Sequence, residues 1–165
     1  MNRKLLLVYL ACFAGTALAD APLPPPTKTV VCSHSGEFCA ASDPGTQMTS
    51  ITRRGVPGPL WAIPGWQRWL IVTDDGQRVV IGYGGLNLVP KEAPLSTPVP
   101  LFYGPAGLIK SVTLGDLYRS TAEMTETVSH YQWEQAVYLD AAGQLVVERV
   151  DGSRVAFDPN NGARL

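Results

Sequence analysis

A mostly β, antiparallel fold is predicted for this chain by three observations. A turn pattern returns three times: "SHSGEFCA" from Ser33, "TDDGQRVV" from Thr73 and "DAAGQLVV" from Asp140. Each puts a small polar residue three before a glycine, Glu or Gln after it, and a Cys-Ala or Val-Val pair two residues further on. Asp151-Gly152, between "QLVVERV" and "SRVAF", repeats the turn chemistry a fourth time. Signals for helix are confined to one short stretch. A glycine supplies the positive φ of a tight turn and the β-branched run behind it suits a half-buried strand, so each unit reads as strand, polar turn, strand. The expected architecture is a compact antiparallel sandwich or meander of hairpins. Such hairpins resemble those of β-propeller blades, and an incomplete blade-like array is the alternative. A closed ring of four or more four-stranded blades exceeds this length.

Residues 1–19 read as a signal peptide. Asn2-Arg3-Lys4 is a basic start, Leu5 to Ala14 an apolar block, and Ala17-Leu18-Ala19 an A-x-A cleavage site, so the mature chain is expected to begin at Asp20. The block falls short of the roughly 20 apolar residues that span a bilayer, and no later segment approaches that length. Cys12 lies inside the block and leaves with it, and its position does not suit a lipidation site. The mature protein is expected in the periplasm or secreted, without an integral membrane segment. Residues 20–27, "DAPLPPPT", form a proline-rich, extended leader, and 28–165 a single β domain.

Cys32 and Cys39, in "VCSHSGEFC", are then the remaining thiols in an oxidising compartment. They are equidistant from the centre of the Ser35-Gly36 turn, so either a two-residue or a four-residue loop sets them opposite each other. Facing Cα atoms lie about 4.5 to 5.5 Å apart in an antiparallel pair, within reach of a disulfide. A redox pair commonly has two intervening residues at a helix start, and a tetrahedral metal site would have to recruit His34 and His130. A disulfide is the simpler reading.

The next stretch, "LWAIPGWQRWL", is the densest in aromatics, with Trp61, Trp66 and Trp69 near Arg68. Trp69 alternates with Leu70 and Val72 and is expected in the core, while Pro64-Gly65 makes a turn. "IGYGGLN" carries Tyr83 and Asn87; it lacks a phosphate-loop spacing, and its glycines are read as allowing close packing. Asp74-Asp75-Gly76 and Asp158 to Gly162 are read as Asx-type turns instead of calcium loops. Five prolines between Pro90 and Pro105 predict an irregular crossing that no central strand could tolerate. Thr113 to Asp116 and Ser120 to Glu123 both match the capping-box pattern, which predicts one or two helical turns within 114–126. "SHYQWE" then brings His130, Tyr131 and Trp133.

Formal charge is −1 and the basic residues are scattered, which argues against a nucleic-acid partner. No nucleophile elbow, metal spacing or cofactor loop is present, so neither metal nor cofactor is expected. The combination "LWAIPGWQRW", "DDGQRVVIGYGGLNLVP" and "ETVSHYQW", after the cysteine hairpin, resembles an uncharacterised group of exported bacterial proteins over most of residues 30 to 160. That resemblance implies export and brings no catalytic residues. The function expected is a non-enzymatic exported β domain that binds or supports an envelope protein or glycan through Trp61, Trp66, Arg68, Tyr83, Asn87, His130, Tyr131 and Trp133. Two alternatives are a small hydrolase centred on His130 with Ser129 or a nearby carboxylate, and a sugar-binding module that uses exposed tryptophan faces.

Overall fold

The computed structural model describes residues 22–165; the expected signal peptide, Cys12 and the first two residues of the expected leader lie outside them. Fourteen strands are formed among the described residues. They are β1 (Thr29–Cys32), β2 (Phe38–Asp43), β3 (Met48–Arg53), β4 (Trp61–Pro64), β5 (Leu70–Val72), β6 (Val79–Ile81), β7 (Leu88–Pro90), β8 (Pro98–Gly104), β9 (Gly107–Thr113), β10 (Thr125–Glu126), β11 (His130–Gln132), β12 (Ala136–Leu139), β13 (Leu145–Glu148) and β14 (Arg154–Phe157). All pairings are antiparallel, in four sheets ordered β1-β2-β3-β4, β5-β6-β8-β9, β12-β13-β14 and β10-β11-β7.

The turn pattern builds these sheets as the sequence predicts. In each of the four turns the glycine N–H donates to the carbonyl three residues earlier, Gly36 to Ser33, Gly76 to Thr73, Gly143 to Asp140 and Gly152 to Arg149. The glycines sit at φ from 65° to 80°, the left-handed region that closes such a loop. Residues 34–37 form a four-residue loop closed by the Ser33 N–H on the Phe38 carbonyl, so Cys32 and Cys39 are direct partners. They are disulfide-bonded with Cα atoms 3.9 Å apart. The Thr73 hairpin also has a four-residue loop, 74–77, while the last two have three-residue loops, 141–143 and 150–152. The repeated pattern therefore fixes the turn and leaves register to loop length.

In the middle sheet, β5-β6-β8-β9, the β6 strand is buried on both faces. Val79, Val80 and Ile81 of β6 are each at most 3% exposed. Alternation sends Val79 and Ile81 into a core with Ile51, Ile63 and Phe38 of the first sheet. Val80 and Phe102 face the opposite way, into a core with Leu145, Val147 and Val155 of the β12-β13-β14 sheet. Three layers result, and the turns of the three repeated units meet at one edge. There the Ser35 N–H donates to Asp74 Oδ1 at 2.7 Å, which holds the Asp74 carboxyl below its usual range. His34, Asp74 and Asp140 line a shared surface hollow at that edge.

One local expectation fails, and the expected helical turns form with only one of the two capping boxes. The proline-dense segment does contain an inner strand, since β8 lies between β6 and β9. Pro98 opens the strand, and Pro100 falls where the register slips between Pro98–Thr113 and Leu101–Ser111, a bulge. The ladder to β6 uses Leu101, Phe102 and Tyr103, beyond both prolines, so neither ring removes an N–H that the sheet requires. The helical turns appear at α1 (Leu114–Leu117) and a 3-10 turn at Thr121–Glu123. At α1 the Thr113 N–H donates to Asp116 Oδ2 at 2.8 Å. Ser120 makes no side-chain cap, and the Glu123 carboxylate that would complete a capping box pairs with Arg149 at 2.8 Å.

Candidate functional site

A cavity of about 230 Å³ opens between the middle sheet and the loops that bracket β7 and β12. Trp69, Tyr83 and Trp133 supply its aromatic walls, Val99, Pro100 and Val137 its aliphatic ones, and Asn87 and Glu134 its side-chain polar groups. Sequence reasoning placed Tyr83, Asn87 and Trp133 in a binding surface and Trp69 in the core; all four border this one space.

The glycine-rich loop makes the cavity possible. A Cβ built on Gly82 would lie 2.2 Å from Trp69 Cε3, so glycine lets the indole lie flat against the backbone. Three residues on, Gly85 leaves room for the Leu88 carbonyl and the Tyr83 ring. Leu86 then adopts φ 61°, a left-handed conformation uncommon outside glycine. Its carbonyl accepts the Trp133 Nε1–H at 2.8 Å. Asn87 contributes its carbonyl to the Trp133 backbone N–H at 3.0 Å. Trp133 is 2% exposed and its own carbonyl accepts the hydroxyl of buried Tyr118. The indole is thus a fixed wall.

Glu134 was not singled out by the sequence and is the most unusual group in the site. Its neighbours are pinned on both sides: Trp133 to Asn87, and the Gln135 N–H to the Glu148 carbonyl at 2.8 Å. Glu134 itself lines the cavity, and its Oε2 is buried without a hydrogen-bond partner. Burial pushes the Glu134 carboxyl above its ordinary range, and it is the sole cause of the shift. Among the residues that line the cavity there is no lysine, arginine or histidine to compensate it. The signal in the sequence was "YQWEQA", a lone acid between an indole and a strand, and only the folded chain shows that it has no partner.

The other expected site residues lie elsewhere. Trp61 packs against the first core and donates Nε1–H to the Gly76 carbonyl at 2.9 Å. Trp66 donates to the Thr27 carbonyl at 2.8 Å, which ties the end of the leader to the domain, and its ring lies under the Arg68 guanidinium at 5.0 Å. These contacts occupy both indole N–H groups internally. His130 and Tyr131 pair with Pro90 and Val89 on β11-β7. The Ser129 hydroxyl is 2.8 Å from His130 Nδ1, yet neither residue lines the cavity. Of the eight residues, Tyr83, Asn87 and Trp133 line the cavity and the other five do not.

The two acidic turns are Asx turns: Asp75 Oδ1 accepts the Gln77 N–H and Asp158 Oδ1 the Asn160 N–H, both at 2.9 Å. Among the described residues no three His, Cys, Asp or Glu side chains gather closely enough to hold a metal ion. No helix among them is long and apolar enough to cross a membrane. Comparison with protein-family models, curated proteins and solved structures found no match.

Proposed function

We propose that this chain is an exported, non-enzymatic β domain whose aromatic cavity receives a small apolar group carried by another component of the cell envelope. The observation that carries the reading is the cavity itself: an apolar space of about 230 Å³ with three aromatic walls and few polar groups, between elements of a rigid sheet stack. An apolar cavity of about 150 Å³ already accommodates a benzene ring, so a single ring with a short substituent fits this one. The disulfide supports export, because such bonds persist in oxidising compartments.

Because Trp69 and Trp133 form walls of the cavity, an aromatic ring seated there changes tryptophan emission. Titration with neutral 2-phenylethanol is expected to give a saturable change in the wild type. Val137→Phe, which fills the space from β12, is expected to abolish it while the far-ultraviolet dichroism stays unchanged. An unchanged titration in that variant refutes the placement of the site.

A further inference from the structure

Resting on that reading, we infer that the cavity selects an organic cation: an ammonium group carried on an apolar body the size of one ring, with the ammonium at the Glu134 carboxyl and the body between Trp69, Tyr83 and Trp133. Three observations converge on this class. Oε2 of Glu134 is buried and lacks a partner, whereas buried carboxylates are ordinarily paired. The lining supplies no positive charge, so the complement has to arrive with the ligand. The indole and phenol rings add electron-rich faces, which attract cations most strongly once water is displaced.

The same features reject other ligands. A carboxylate or phosphate entering the cavity would meet Glu134 with no lysine, arginine or histidine to offset the repulsion. A purely apolar ligand would cover the carboxyl without satisfying it, which leaves a charge-bearing group dry at a cost. An ammonium donor answers both, since a charge-assisted hydrogen bond is about twice as strong as a neutral one. The backbone clamp, with Trp133 held by Asn87 and Gln135 by Glu148, fixes the backbone from which the Glu134 side chain leaves.

The test uses three probes of one shape: 2-phenylethylammonium, 2-phenylethanol and 3-phenylpropanoate, each titrated into the wild-type protein by calorimetry and tryptophan emission. The expected order is ammonium tightest, alcohol weaker and carboxylate weakest. Glu134→Gln is expected to weaken the ammonium by about tenfold or more and to leave the alcohol nearly unchanged. Equal binding of ammonium and alcohol to the wild type overturns the cation inference and leaves the apolar-cavity reading standing. Failure of all three probes overturns both. The wild-type comparison decides the matter even if the variant folds poorly.

Discussion

Substituting Gly76 by alanine tests the stacking of the layers, because two separable penalties meet at that residue. Gly76 has φ 65°, where a side chain costs about 1 to 2 kcal/mol. A Cβ there would also lie 2.2 Å from Cδ1 and 2.6 Å from Cγ of Phe38, a ring in the first core that is 8% exposed. The ring cannot yield cheaply: it packs with Ile51 and Ile63, and the Arg53 guanidinium lies 5.6 Å from its centre. Overpacking of this kind adds about 1 to 3 kcal/mol. Gly143 is the internal control, with φ 77° and nothing within 4 Å of its built Cβ, so Gly143→Ala carries only the backbone term. Urea unfolding should place Gly76→Ala about 1 to 3 kcal/mol below Gly143→Ala, the overpacking term alone. Adding Phe38→Ala should relieve the clash, so that the double variant is less destabilised than the sum of its parts. Equal losses for the two glycines, with strict additivity at Phe38, would refute the docking of the second turn on the first sheet.

Other outcomes follow from the same contacts. Cys32→Ala/Cys39→Ala closes no loop in the unfolded chain and should lose about 2 to 3 kcal/mol, read as a lower urea midpoint in the oxidised protein. Tyr118→Phe strands the Trp133 carbonyl and should cost about 1 to 3 kcal/mol. It should also loosen the cavity wall, seen as weaker 2-phenylethanol binding. Gly82→Ala drives a methyl toward Trp69 and should displace the indole, with a shift in emission and loss of probe binding at modest cost to stability. Glu134 binds its proton more tightly when folded than when unfolded. The stability it contributes is therefore full below the ordinary value of 4.5 and lost as pH rises through the higher native value. Glu134→Gln should accordingly gain on the wild type above that window and converge with it below, in melts taken across the range.

The turns were legible in the sequence because their chemistry is local. A glycine three residues after Ser33, Thr73 or Asp140 fixes the turn wherever the hairpin goes, and the symmetric spacing about Ser35-Gly36 fixes the disulfide. What was not legible depends on pairs distant in the chain. Pro98 and Pro100 argued against an inner strand, and only the bulge opposite Val112 reconciles them with one. Ser120 and Glu123 match a capping box, but the Glu123 carboxylate pairs with Arg149. Glu134 reads as an ordinary surface acid until Asn87 and Glu148, neither of them a sequence neighbour, clamp the residues on either side of it. Tyr83, Asn87 and Trp133 were marked by residue type alone, and their convergence on Trp69 comes from the Gly82 approach.

The carboxyl carbon of Glu134 reports most directly on the central claim. Its carbon-13 shift should be titrated with pH in the free protein and again with 2-phenylethylammonium at the concentration that saturates the emission change. Pairing with a cation favours the ionised carboxylate, so the account predicts a midpoint that moves down when the ligand is present. A midpoint that stays in place or moves up at saturation contradicts it.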